Sequence, residues 1–218
     1  MDRPTDPPLT AYPPAPWHSR AQMWSALVTA ERPVAAPLPP VLGSRTLLAM
    51  VIRYQEGTLT YDEFVLASLR RHGRRAGVWT HHIWVDSAAS LWGGRQIWGL
   101  PKQMATFTWS GPHLRVNDAQ GLLAALTLTP RGRRGLPVSL QLGGFGHTDT
   151  VLQHCTARIQ GHLQPARIHI DQWSKRLPRI TQTTPRLALT VAPARLSVLA
   201  PTRLGVLSIP RAGTRSGD

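Results

Sequence analysis

Lys102 closes the segment GGRQIWGLPKQ, residues 93–103, in which three glycines and a proline fall within nine positions. Such a run fixes the backbone path, so the amine after Leu100-Pro101 is presented at a set place. Trp84, Trp92, Trp98, Phe107 and Trp109 flank it in sequence. Aromatic burial on that scale can desolvate an amine and lower its pKa, leaving a neutral nucleophile near pH 7. A neutral lysine condenses with a carbonyl to form an imine, whose protonated form draws electrons from an adjacent bond. Most lysines are solvated surface charges. This chain, however, carries 23 Arg and only two Lys, at 102 and 175, so a bare positive charge at 102 would be expected as Arg.

Other reactive side chains form weaker patterns. His81 and His82 are adjacent in a strand-like stretch and are expected on opposite faces. His147, His154, His162 and His169 lack the carboxylates and spacing of a zinc motif, so no metal is expected. Gly143, Gly144 and Gly146 precede no clear helix and do not read as a phosphate loop. Cys155 sits in an apolar strand pattern and reads as a small hydrophobe. As the lone cysteine it forms no internal disulfide. Asp86 is expected to cap a helix at 88–96, with Ser87 as the alternative.

The elements that must position Lys102 are mostly strands. Segments 46–55, 58–69, 78–87, 104–110, 113–118 and 122–130 are apolar or alternating and are separated by turn residues such as Gly111-Pro112. Further strands are expected at 137–142, 150–163 and 166–170, and weakly over 186–209. Helices are expected only at Ala88–Gln96 and Gln172–Ile180, the second broken by Pro178. Many short strands with little helix predict a mainly β protein with minor α, an antiparallel barrel-like single domain.

Ten of the 20 prolines lie in the first 42 residues. Residues 1–15 are therefore expected to be an extended tail and 33–42 a rigid irregular lead-in. Residues 16–210 are expected to form the domain and 211–218 a polar tail. At 218 residues, 42% of them hydrophobic, the chain can build a real core. No apolar run approaches the ~20 residues that span a bilayer, and no secretory pattern opens the sequence. A cytoplasmic protein without membrane contact is expected.

The net charge is +14. Its local clusters, Arg70, Arg71, Arg74, Arg75 and Arg131, Arg133, Arg134, sit beside glycines as solvated loops do. No nucleic-acid recognition motif accompanies them. A nucleic-acid partner is therefore the least favoured of the functional readings.

Residues Tyr54 to Trp109 resemble the acetoacetate decarboxylase-like family. YQEGTLTYDE (54–63) is similar to its Tyr-x-Gly-turn-Tyr-x-Glu strand pair. HHIWVDS (81–87) resembles its apolar strand ending in Asp, and GRQIWGLPK (94–102) its Gly-Arg-Glu-x-x-Gly-x-Pro-Lys turn. The resemblance extends loosely over 13–210 and implies a β-rich homo-oligomeric lyase that needs no cofactor. By that resemblance Lys102 takes the place of the Schiff-base lysine, a mechanism already known for acetoacetate decarboxylase. Glu63 takes the place of an acidic active-site residue, and Arg20 of an arginine suited to a substrate carboxylate.

The substrate implied is a small 2- or 3-oxo acid. Lys102 would attack its ketone, Glu63 would shuttle the proton, and carbon dioxide loss or aldol-type cleavage would follow. Arg20 or Arg95 would hold the carboxylate; Arg95 could equally satisfy carbonyls of the Gly93–Gly99 turn. Trp98 would supply the apolar wall that keeps the amine neutral, and Gln103 stands beside the nucleophile in the binding region. The sequence departs from the family pattern at Gln103, where the decarboxylase has a second lysine, and at Gln96 in place of Glu. Leu48 and Ala49 stand where a further acid is usual. Schiff-base chemistry on another oxo acid, or small-molecule binding without turnover, therefore competes with acetoacetate decarboxylation.

Overall fold

The computed structural model describes residues 12–132 and 135–206. The expected tail at 211–218, residues 1–11 of the expected N-terminal tail, and Arg133 and Arg134 lie outside the described residues. Four long strands open the fold: β1 (Trp17–Thr29), β2 (Thr46–Gly57), β3 (Tyr61–His72) and β4 (Arg75–Val85). One helix, α1 (Ala88–Trp98), follows, then β5 (Lys102–Met104), β6 (Thr106–Ser110), β7 (His113–Asp118) and β8 (Gly121–Pro130). The chain continues through β9 (Leu136–Thr148), β10 (Val151–Trp173), β11 (Ala188–Val198) and β12 (Thr202–Val206).

Hydrogen bonding runs β11-β1-β2-β3-β4-β9-β10, and β10 pairs back to β11, closing a ring of seven strands. The far half of β10 leaves this ring and pairs with β8, which continues through β7 to β6. Pairing is antiparallel except where β4 meets β5 and β9. The mainly β, barrel-like expectation thus holds.

Alternation along the strands separates two cores. Val51, Phe64, Leu66 and Trp84 face outward from the ring and pack with Leu114, Leu126 and Ile168 of the second sheet. Their neighbours Ile52 and Val85 face inward with Met23, Ile159 and Val191. Strand β3 is buried on both faces over 61–68, and each fully buried aliphatic or aromatic side chain there contributes about 1.5–3 kcal/mol.

Three features differ from expectation. No strand is anticipated at 17–29, whose Ala, Gln, Met and Leu carry little β preference, yet β1 pairs with β2 on one edge and β11 on the other. Tertiary pairing overrides local propensity there. β10 runs unbroken through Pro165, which falls where the partner changes from β9, ending at Leu163, to β8, beginning at Ala166. The helix expected at 172–180 is instead the last two residues of β10 followed by a turn at 175–176: Pro178 lacks the amide a helix would need, and its carbonyl accepts the Trp173 indole N–H at 3.0 Å.

The lead-in at 33–42 is irregular, as expected, and a buried arginine anchors it. Arg70 donates to the carbonyls of Leu38 and Val34 and to Ser68 Oγ. Of the cluster read as a solvated loop, Arg71, Arg74 and Arg75 are exposed while Arg70 is 3% exposed. The buried stretch of β3 ends at Arg70, and the carbonyls of an irregular segment need a donor.

Candidate active site

Strand β5 is three residues long and lies parallel to β4, with Lys102 beside Ile83. Alternation turns Lys102 inward and leaves Gln103 exposed on the other face. Helix α1 covers the inward side. Ser87, not Asp86, caps it by accepting from the Ser90 amide; Asp86 Oδ1 instead accepts from the Asp62 amide, 2.8 Å away. Gly99 ends the helix at φ +64°, a left-handed turn that glycine adopts without strain. Gly94 has a second reason to be glycine: a Cβ there would overlap Cδ and Cε of Lys102. The lysine stem therefore lies directly on the helix backbone.

The amine itself is 2.8 Å from Glu63 Oε2 and 2.8 Å from Ser90 Oγ, and donates to both. Lys102 is 3% exposed, Glu63 5% and Ser90 fully buried. Glu63 reaches it because β3 pairs with β4 at Glu63–Val85 and β4 pairs with β5. The Tyr54 hydroxyl donates to Glu63 Oε1 at 3.4 Å, and the Tyr54 and Tyr61 rings stack with centroids 4.2 Å apart. Lys102 Nζ lies 5.1 Å from the Tyr61 ring centroid and 6.0 Å from that of Trp17, within cation–π range.

Burial is the largest single influence on the Lys102 pKa and lowers it. The Glu63 carboxylate and Tyr61 together outweigh burial, so the pKa stands above lysine's ordinary value. The resting site is an ammonium–carboxylate pair rather than the free amine expected from aromatic burial alone. Burial and the Glu63 charge raise the pKa values of Tyr54 and Tyr61, so both phenols stay neutral.

Of the residues singled out in the sequence, the structure brings together Lys102 and Glu63. Arg95 adjoins them, but its Nε donates to the Lys102 carbonyl at 2.8 Å and its guanidinium lies over Trp92. Its backbone contact is thus to Lys102 itself and not to the carbonyls of the Gly93–Gly99 turn. Trp98 is one layer back: it packs edge-on against Trp17, centroids 4.7 Å apart, and donates its indole N–H to Leu199. Arg20 is on the outer face of β1, its side chain 61% exposed and 3.5 Å from Glu56. Arg20 and Gln103 therefore do not join the Lys102 cluster.

Ser90, Tyr54, Tyr61 and Trp17 belong to it and are not singled out in the sequence. Both tyrosines lie in the YQEGTLTYDE segment, so a signal existed for them. Ser90 had none, because only the helix register brings it over the amine. A bulge in β4 also breaks the alternation expected at His81 and His82, since Leu66 faces His82 and Ala67 faces Thr80.

Known proteins share this fold. A solved acetoacetate decarboxylase superposes with a TM-score of 0.69 at 11% identity, covering 92% of this chain and 94% of that one. The acetoacetate decarboxylase from Legionella pneumophila gives 0.67 at 15% identity, covering 94% of each chain. The enduracididine biosynthesis enzyme MppR, solved with pyruvate, gives 0.59 at 14% identity, with 92% of this chain and 93% of that one covered. No curated protein matches the sequence. The profile of the acetoacetate decarboxylase (ADC) family matches residues 2–147, a span that holds Lys102, Glu63 and the glycine turn, and the chain belongs to that family.

Proposed function

We propose that the protein is a Schiff-base lyase that uses Lys102 on the carbonyl of a small substrate. The observation that carries this reading is the buried Lys102 amine with the Glu63 carboxylate 2.8 Å away. A ketone entering beside this pair lets the ammonium pass one proton to Glu63, and the freed amine attacks the carbonyl carbon. Glu63 returns the proton to the departing hydroxyl, water leaves, and a protonated imine remains. A carbon–carbon bond next to the imine then breaks and its electrons form an enamine. The fragment lost is carbon dioxide from a 3-oxo acid, or an aldehyde from a 3-hydroxy carbonyl compound. Protonation of the enamine and hydrolysis regenerate Lys102. Tyr54 steadies Glu63 by donating to its other oxygen, and Ser90 fixes the amine.

The test is exchange of a carbonyl compound's α-hydrogens in deuterium oxide, combined with borohydride reduction and mass mapping of the adduct. Exchange and an adduct on Lys102 are expected in the wild type, with both lost in Lys102→Met. Binding without exchange would overturn the catalytic reading in favour of a small-molecule binder. An adduct that persists in Lys102→Met would overturn the assignment of the nucleophile.

A further inference from the structure

Ser90 and Gly94 lie four residues apart on one face of α1, about 6 Å along its axis. The Lys102 stem crosses Gly94, and its amine ends at the Ser90 hydroxyl, 2.8 Å away. Ser90 is fully buried and Lys102 is 3% exposed. Among the described residues the amine donates to two oxygens, Glu63 Oε2 and Ser90 Oγ. The two acceptors differ in kind. A carboxylate takes up a proton and keeps it, whereas a hydroxyl accepts from one neighbour while donating to another.

Imine formation sends the three protons of the ammonium to three places. The first goes to Glu63 and frees the lone pair of the amine. Attack on the carbonyl then leaves a positive nitrogen carrying two protons and a negative oxygen on the adjoining carbon. The second proton has to pass from that nitrogen to that oxygen before water can leave. Glu63 already holds the first proton and takes no other. Direct transfer would close a strained four-membered ring, and burial keeps bulk water away from the amine.

We propose that Ser90 is a catalytic residue that carries this second proton. Its Oγ accepts a proton from Nζ while its own hydrogen passes to the substrate oxygen. One N–H and one Oγ–H bond break as one Oγ–H and one substrate O–H bond form, and Ser90 ends neutral, as it began. Glu63 then gives its proton to the new hydroxyl and water leaves. The third proton stays on the imine nitrogen, opposite the Glu63 carboxylate. This inference rests on the imine reading of Lys102 and supplies the proton transfer between attack and dehydration.

The experiment follows adduct formation on Lys102 with pyruvate and with acetone at saturating cyanoborohydride, so that the rate reads imine formation. Ser90→Ala is expected to slow it at least roughly hundredfold, as loss of a proton-transfer group does. Alkylation of Lys102 by iodoacetamide, mapped by mass, is measured alongside. That reaction needs the amine placed and deprotonated but forms no oxygen anion, and it should run in Ser90→Ala at close to the wild-type rate. A parallel fall in both reactions would mean that Ser90 only places the amine, and overturns the relay. Trapping in Ser90→Ala at the wild-type rate overturns it too. Ser90→Thr keeps the hydroxyl and should restore most of the trapping rate; a folded Ser90→Thr as slow as Ser90→Ala counts against the relay in the same way. The Tyr61 hydroxyl also acts on the amine, and a slow Tyr61→Phe beside a fast Ser90→Ala would give the step to the phenol and overturn the assignment. No adduct on wild-type Lys102 with either compound overturns the imine reading itself.

Discussion

The Lys102 amine lies 2.8 Å from a Glu63 carboxylate oxygen, with the two side chains 4% and 7% exposed. The sequence separates them by 39 positions. Each makes the other tolerable in a place closed to water, since either charge alone would be buried without a counterion.

Removing one partner should therefore cost far more than removing both. Lys102→Met is expected to destabilise the protein by about 3–5 kcal/mol, because Glu63 is left buried and unpaired. The double variant Lys102→Met with Glu63→Gln should recover most of that loss. Urea unfolding midpoints of the two single variants and the double variant check this. Additive effects would mean that the two charges do not face each other in solution.

Gly94→Ala places a methyl group on the Lys102 stem. The expected cost is about 1–3 kcal/mol of stability, typical of overpacking a filled site, and trapping on Lys102 should fall at least roughly tenfold as the amine is displaced, given the sensitivity of such reactions to small misplacements. Thermal unfolding and adduct mapping on the same sample separate the two effects. Unchanged trapping would show that the amine need not lie against the helix.

Arg20→Ala and Gln103→Ala should leave adduct formation within about twofold, since both side chains point away from the Lys102 cluster. The Arg20–Glu56 pair is exposed, and stability should change by less than about 1 kcal/mol. A large rise in the substrate concentration needed for trapping in Arg20→Ala would place this arginine in the site after all.

His81 supplies an acid-sensitive element. Its Nε2 is 2.7 Å from Ser68 Oγ, which already accepts from Arg70 Nε. Burial first, then the Arg70 and His82 charges, lower its pKa from 6.5 to about 4. Below pH 6.5 the unfolded chain takes up a proton that the folded one refuses. Stability therefore falls as the pH drops from 6.5 towards 4, by at most about 3 kcal/mol from this residue. His81→Asn keeps an acceptor for Ser68 and should flatten that part of the stability curve. An unaltered acid limb in the variant would assign the loss to other groups.

Much of the fold was readable because its strands alternate and its turns carry glycine and proline. Strands β2, β3, β7 and β8 declare themselves by pattern, and β7 was expected over its observed span, 113–118. β1 did not, because its residues become strand only by pairing on both edges. The Lys102 turn was legible because nucleophile, glycines and proline are contiguous, and Glu63 only through the family resemblance that the local segment YQEGTLTYDE carries.

What the sequence by itself determined is therefore the β-rich fold, the fixed place of Lys102 and the candidacy of Glu63. Tertiary structure decided which charges meet. Strand alternation sends Lys102 inward and Gln103 outward. Pairing along β1 leaves Arg20 outside, the helix register lowers Ser90 onto the amine, and Arg95 turns to the backbone. The amine's charge was decided there as well. Aromatic neighbours in sequence suggest a neutral lysine, whereas a carboxylate 2.8 Å away makes it an ammonium. Electrostatic energy depends on distance and burial, and for residues 39 positions apart neither quantity exists until the chain is folded.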